Sequence, residues 1–110
     1  MSSPTQRTIA KLKQDGYTYA ITEHWNPFAR IRQDLFGFCD IMAFNEAETV
    51  LIQCTTKSNV SARVKKINAN DKAMRWLKGE HRRIQVWGWE RGAKGDKALR
   101  VVEIEEVDDE

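Results

Sequence analysis

Apolar and polar residues alternate over several short stretches of the chain, which is the period of a β-strand. Residues 17–25 alternate and are rich in aromatic and β-branched side chains, which favour strands. The same signal predicts strands at residues 38–44, 49–55, 84–89 and 98–104. Residues 28–35 alternate as well, and they form either an extended loop or an irregular edge strand.

Helical spacing separates these predicted strands. Ser3 and Pro4 suit the start of a first helix, whose apolar stripe is Ile9 and Leu12 and which ends near Gly16. After a cap at residues 58–59, a second helix places its apolar side chains at the helical period, and a further helical piece covers residues 71–78. The order α-β-β-β-α-β-β predicts an α/β (α+β) fold in which a central mixed sheet is flanked by helices.

The size and composition indicate one globular domain. The chain has 110 residues, of which 41% are hydrophobic and 31% charged. We assign residues 1–102 to this domain, and residues 103–110 to the end of the last strand and an acidic tail. No apolar run approaches the ~18 residues of a membrane span, and the first residues do not resemble a signal peptide. Cys39 and Cys54 lie in apolar segments and are expected to be reduced, so the cytoplasm of a cell or of a virus-infected cell is the expected location.

The net charge of +2 conceals a strong asymmetry along the chain. Without the six acids of residues 103–110, the remaining 18 basic and 10 acidic side chains give +8. A basic body with an acidic tail favours a nucleic-acid partner, although charged tails also serve solubility alone. The candidate phosphate contacts are Arg30, Arg32, Lys57, Arg63, Lys66, Arg82 and Arg83. For Lys66, a solvated helix face is a fair competing interpretation, which suits Arg63 less well.

Asp40 is the strongest candidate for chemistry. It stands among apolar residues at the start of a predicted strand, where a carboxylate must be paired, bind a metal or take up a proton. It is either a Mg²⁺ ligand or the partner of Arg30 or Arg32 in an ion pair.

Polar side chains at the end of the central predicted strand can complete such a site. Gln53 and Thr55 alternate and therefore share one face of the sheet. An amide oxygen can bind a hard cation, and Lys57 can offset charge on a phosphate. Glu23 can supply a second carboxylate, and Asp34 is another candidate. Alternatively, the polar strand end only caps the following helix, and the two acids are merely exposed.

Other kinds of site receive little support. His24 and His81 have no cysteine or histidine partner at the spacing of a zinc site, and no glycine-rich nucleotide loop occurs, so no nucleotide cofactor is expected. Tryptophans can stack on bases, but Trp87 and Trp89 share one strand face, which favours the core or an interface.

The run DLFGFCDIMAF followed by TVLIQCTTKSNVSARVKKI resembles the PD-(D/E)XK nuclease superfamily and, within it, the small archaeal and phage Holliday-junction resolvases. The resemblance covers most of the chain in its order of elements and in the spacing of its motif. It implies a restriction-endonuclease-like α-β-β-β-α-β core, catalysis with Mg²⁺ or Mn²⁺, branched or duplex DNA as substrate, and a homodimer.

Transferred to this chain, the motif's central acid is Asp40, its second acid is Gln53 and its lysine is Thr55. The glutamate of the resolvases' first helix falls near Gln6 or Thr5, so three of the four motif positions differ from the family's pattern. The resemblance implies a structure-selective endonuclease, or a decayed module that binds DNA or a protein partner without cutting. The predicted catalytic residues are Asp40, Gln53, Thr55, Lys57 and Glu23, and the predicted metal ligands are Asp40, Gln53, Glu23 and the backbone carbonyl of Cys54.

Overall fold

A computed structural model describes residues 3–107 of the chain. The helices in this part are α1 (Pro4–Gln14), α2 (Val60–Asn68) and α3 (Asp71–Leu77). The strands are β1 (Thr18–Ile21), β2 (His24–Asn26), β3 (Ile31–Gln33), β4 (Ile41–Phe44), β5 (Thr49–Thr56), β6 (Arg82–Trp89) and β7 (Leu99–Glu103). Short 3₁₀ turns occupy Lys57–Asn59 and Asp96–Ala98. No helix in the described residues is both long and apolar enough for a membrane span.

Five strands form one mixed sheet in the order β1-β4-β5-β6-β7. The neighbours β5 and β6 are parallel and are connected through α2 and α3, whereas the other pairs are antiparallel. The strands β2 and β3 pair only with each other and form a separate hairpin between β1 and β4. The prediction of an α/β fold with a central mixed sheet flanked by helices is therefore confirmed.

The two faces of the sheet bury separate apolar clusters, because successive side chains of β5 point to opposite sides. On one face, Ile52 packs with Leu12 of α1 and with the indole rings of β6. On the other face, Leu51 packs with Val60 and Ile67 of α2. Trp87 and Trp89 are 6% and 7% exposed, which confirms the core placement that their shared strand face favoured.

Helix α1 is fixed at both its start and its middle. Ser3 and Gln6 form a reciprocal capping box at its N-terminus, in which each side chain accepts a hydrogen bond from the other residue's N–H. In the middle of the helix, the Thr8 hydroxyl accepts a hydrogen bond of 2.8 Å from the Trp89 indole. Gln6 therefore serves the helix end, and α1 is oriented by a bond to β6.

The structure divides the predicted strand at residues 17–25 into two. The chain leaves the sheet after β1, where the Thr22 and Glu23 N–H groups both donate to the Asp40 carbonyl. It then enters the β2–β3 hairpin, so the irregular segment at residues 28–35 contains a true strand, β3. The predicted strand at residues 38–44 begins only at Ile41, because residues 34–39 form a tight turn around Gly37, whose φ is +86°.

The close approach of β6 to α2 generates a stability prediction. A Cβ on Gly88 would overlap Cγ2 of Val60 and lie 3.1 Å from the Lys57 Cα. We expect Gly88→Ala to lower the free energy of unfolding by about 1–3 kcal/mol through overpacking. Urea denaturation measures this loss, and in a Val60→Ala background the same change should cost less. An equal loss in both backgrounds would place the strain elsewhere.

Candidate metal centre

Three carboxylates meet at one end of the sheet. One oxygen from each of Glu23, Asp34 and Asp40 lies within 4.8 Å of the other two. Glu23 stands between β1 and β2, Asp34 follows β3, and Asp40 directly precedes β4. The β2–β3 hairpin therefore begins and ends at this acidic cluster. We refer to these three residues as the carboxylate triad.

Asp40 is held rigidly against β5. Its side chain is buried, with the residue only 4% exposed. Its Oδ2 accepts hydrogen bonds from the Cys54 N–H at 2.8 Å and from the Gln53 amide nitrogen at 3.1 Å. The Asp40 N–H in turn donates to the Ile52 carbonyl at 2.9 Å, which fixes the residue in register with the strand. Asp40 thus presents its carboxylate from a defined position.

Burial raises the pKa of the Asp40 carboxyl from its ordinary 3.8 to about 8. The hydrogen bond from the Cys54 N–H opposes this shift in pKa, while the neighbouring acids Asp34 and Glu23 add to it. Without a cation, burial therefore favours the protonated form of Asp40. Three ionised carboxylates at this distance need a positive charge between them.

The structure settles the alternative pairing of Asp40 with an arginine. Arg32 donates to Glu23 at 2.8 Å, and among the described residues Asp40 has no ion pair of its own. Arg32 is 71% exposed at its side chain and lies on β3 of the hairpin. It therefore compensates one charge of the triad from the solvent side. The alternative prediction, an ion pair of Asp40 with Arg30 or Arg32, is wrong.

Gln53 supplies a buried oxygen without a partner. The residue is 5% exposed, and its amide nitrogen is bonded to Asp40. Its Oε1 has no hydrogen-bond partner among the described residues. A buried carbonyl oxygen left unpaired costs about 1–3 kcal/mol, so this atom is expected to meet a water molecule, a ligand or a bound ion.

The donor set fits a hard divalent cation. Three carboxylates and an amide oxygen are the ligands that Mg²⁺, Mn²⁺ and Ca²⁺ prefer, and no histidine or thiolate belongs to the triad. The Cys54 carbonyl was predicted as a further ligand. In a β-strand, the N–H and the C=O of one residue point toward the same neighbouring strand. The Cys54 N–H points toward Asp40, so the Cys54 carbonyl also points to the side of β5 on which Asp40 lies.

Other predicted site residues are not brought to the triad. Thr55 shares its strand face with Gln53 as expected, but it carries no charge. Lys57 contacts the Lys97 carbonyl at 3.1 Å and the Glu90 carboxylate at 3.6 Å. Glu90 directly follows β6, which lies on the opposite side of β5 from Asp40, so Lys57 points away from the triad. Neither Thr55 nor Lys57 therefore supplies the positive charge of a catalytic lysine at the triad.

The predicted phosphate contacts are spread over the molecule. Arg83 donates to Glu103 and Glu48, which raise its pKa, so its charge is neutralised within the protein. Arg82 stacks on the Trp76 ring at 4.7 Å. Arg63 and Lys66 lie on α2, whereas Arg30 and Arg32 belong to the hairpin that flanks the triad.

Asp34 is the ligand candidate that sequence reasoning weighed but did not adopt. A tight turn after Asp34 reverses the chain direction, since the Gly37 N–H donates to the Asp34 carbonyl and Leu35 forms an antiparallel bridge with Cys39. Within this turn Phe36 has φ +58°, which is strained for a bulky side chain, and its carbonyl accepts from Asn70. A glycine between two aspartates six residues apart was the signal that could have identified the pair.

Comparison of this chain with protein-family models, with curated proteins and with solved structures finds no match. The resemblance to PD-(D/E)XK nucleases therefore stays a prediction.

The buried Asp40 predicts how stability depends on pH. Because its pKa is higher in the folded state than the ordinary 3.8, the folded state binds the proton more tightly between about pH 4 and 8. The free energy of unfolding should therefore fall as pH rises through this window, by up to about 1.4 kcal/mol per pH unit. Urea denaturation in EDTA measures the slope. Asp40→Asn keeps an acceptor for the Cys54 N–H and should remove most of it; an unchanged slope would exclude a protonated Asp40.

Proposed function

We propose that the chain is a Mg²⁺-dependent endonuclease that hydrolyses phosphodiester bonds in branched or duplex DNA, like the Holliday-junction resolvases that it resembles. The observation that carries the proposal is the carboxylate triad together with the unpaired Gln53 oxygen. Such a set of oxygens at the end of a rigid sheet suits a cation that must face a bulky substrate.

The topology supports this proposal. The strands β1, β4 and β5 are antiparallel neighbours, and β6 joins β5 in parallel after the α2–α3 crossover. This arrangement agrees with the α-β-β-β-α-β order that the resemblance implies. Asp40 precedes the second strand of this core, and Gln53 lies near the end of the third, so the two side chains face each other across one strand pair.

The triad and Gln53 share the tasks of the proposed reaction. Asp40, Glu23 and Asp34 would hold the ion together with the Gln53 amide oxygen, and the Gln53 amide nitrogen fixes the orientation of Asp40. When bound, Mg²⁺ or Mn²⁺ supplies polarisation of a phosphoryl oxygen and activation of a water molecule. The positive charge that the motif's lysine would provide is missing at Thr55.

Arg32 is the side chain best placed to supply that charge. Its guanidinium already lies 2.8 Å from a triad carboxylate and is otherwise exposed to solvent. An arginine can donate two parallel hydrogen bonds to a phosphate, so a substrate bound at the triad can take Arg32 from Glu23. We therefore assign to Arg32 the role that sequence reasoning gave to Lys57.

Cleavage assays test the proposed function. With Mg²⁺ or Mn²⁺, the wild-type protein should cut a labelled four-way junction or a duplex, and EDTA should stop the reaction. Asp40→Ala should lower the rate more than ~100-fold, since it removes the buried ligand, while DNA binding survives. Glu46→Gln changes an exposed acid in the turn before β5 and serves as the matched control. Full cleavage by Asp40→Ala would rule out the site.

A binding module without cleavage is the second candidate, and a specific observation favours it. Thr55 is neutral, Lys57 is bonded to Glu90, and Gln6 is used in the α1 capping box. Gln6 thus has a structural role in place of the motif's glutamate, and neither Thr55 nor Lys57 brings a positive charge to the triad. In this case the exposed basic side chains would hold DNA or a protein partner, with the chain as the predicted homodimer.

Metal-linked stability separates the two candidates. Gln53→Glu adds a fourth carboxylate next to Asp40, so it should lower the melting temperature in EDTA. Mg²⁺ should then raise the melting temperature of this variant more than that of the wild type. The extra free energy of stabilisation should be about 1.4 kcal/mol for each tenfold gain in affinity. Gln14→Glu makes the same change at the exposed end of α1 and is the control. No response to Mg²⁺ in any of these proteins would favour the binding module.

A further inference from the structure

The β2–β3 hairpin carries large apolar side chains into solvent. Phe28 at its tip is 97% exposed, Trp25 on β2 is 56% exposed and Ile31 on β3 is 50% exposed. Single exposed apolar residues are common, but exposed aromatic rings on one short hairpin suggest a surface for a partner. Trp25 pairs with Arg32 and Ile31 pairs with Asn26, so Trp25 and Ile31 lie on opposite faces of the hairpin. We refer to Trp25 and Phe28 as the hairpin patch.

The tip of the hairpin is well ordered by its own hydrogen bonds. The Asn26 side chain accepts from the Phe28 N–H at 3.0 Å and from the Ala29 N–H at 3.1 Å. The Asn26 carbonyl accepts from the Arg30 N–H at 2.8 Å, and Arg30 has φ +56°. These bonds fix the backbone of the turn, and the Phe28 ring points into solvent.

Cationic side chains accompany these aromatic rings. Trp25 and Arg32 are register partners across the hairpin and therefore lie on one face, and Arg32 reaches Glu23 of the triad. Arg30 is at the tip beside Phe28. Exposed aromatic faces between guanidinium groups suit the bases and phosphates of a nucleic-acid strand. A second copy of the chain fits less well, because residues 1–102 carry a net charge of +8.

We propose that the hairpin recognises an unpaired or unstacked base in DNA, with Phe28 stacking on the base and Arg30 contacting an adjacent phosphate, while Arg32 serves the phosphate at the triad. The inference rests on the proposed function and names its substrate: DNA with a local break in base stacking, such as a branch point or a bulge. Phosphate contacts alone do not distinguish such DNA from a perfect duplex, whereas a stacking ring does.

The length of the hairpin links recognition to the position of the cut. Glu23 and Phe28 are five residues apart, so their Cα atoms are separated by at most about 18 Å. One DNA strand advances 3.4 Å per nucleotide, so this distance corresponds to at most about five nucleotides. Cleavage at the triad should therefore fall within about five nucleotides of the unstacked base.

The test compares two DNA probes in EDTA, where no cutting occurs: a labelled duplex with one unpaired base, and the same duplex fully paired. Phe28→Ala should weaken binding of the bulged probe roughly 5- to 100-fold and leave binding of the paired probe unchanged. Phe28→Trp should restore the preference. Phe44→Ala removes another exposed ring, 48% exposed at the far end of β4, and is the matched control. Arg30→Ala should weaken both probes and reduce the salt dependence.

Two results would overturn the inference. One is an equal effect of Phe28→Ala on both probes, or no effect on either. The other is a change from dimer to monomer in sedimentation with DNA binding unaltered, which would identify the hairpin patch as a contact between copies. Because the assay needs no metal, a hairpin that discriminates the probes in a protein that never cuts would refute the nuclease and support the inference. Metal-dependent cutting by a protein that does not discriminate between the two probes would support the nuclease and refute the inference about the hairpin.

Discussion

The hydrogen bonds that hold Asp40 against β5 determine the geometry of this end of the molecule. Asp40 receives the Cys54 N–H and the Gln53 amide through its side chain, while its carbonyl accepts the N–H groups of Thr22 and Glu23. One residue thus fixes where β1 leaves the sheet and where β4 enters it. Burying a carboxylate for this purpose is costly in free energy, as its raised pKa reflects, unless a proton or a cation compensates the charge. The constraint that organises the fold therefore also creates a demand for a ligand.

The β2–β3 hairpin brings the other two acids of the triad to Asp40. It is inserted between β1 and β4, so its two ends must lie close together, and each end carries an acid of the triad. The same insertion holds Arg32 and the hairpin patch. The proposed substrate contact at the tip and the proposed cation contact at the base thus belong to one short element. The large sheet, with α1 on one face and α2 and α3 on the other, supports this element without contributing charged groups beyond Asp40.

Local patterns in the sequence predicted the fold well and the site only in part. The spacing of apolar residues in β5, β6 and α2 follows from burial on both faces of the sheet. Buried residues such as Leu51 and Ile67 can therefore be predicted individually from the sequence. The meeting of Glu23 with Asp34 is different, since it depends on how a hairpin closes, and neither residue has an apolar environment that marks it. The direction of Lys57 was missed because strand parity ends with β5, where the chain enters a 3₁₀ turn. Alternation at residues 28–35 likewise could not show whether Phe28 would be buried or exposed.

Arg32 couples the two proposed contacts thermodynamically. In the structure it neutralises Glu23, so it competes with any cation for the triad. A phosphate that takes the guanidinium would leave Glu23 uncompensated and thereby strengthen cation binding at the three carboxylates. By reciprocity, a cation at the triad would release Arg32 and strengthen the binding of a phosphate. The cation and the substrate would thus favour each other's binding, and the hairpin would be the element through which the proposed DNA substrate influences whether the buried Asp40 carries a proton or faces a metal.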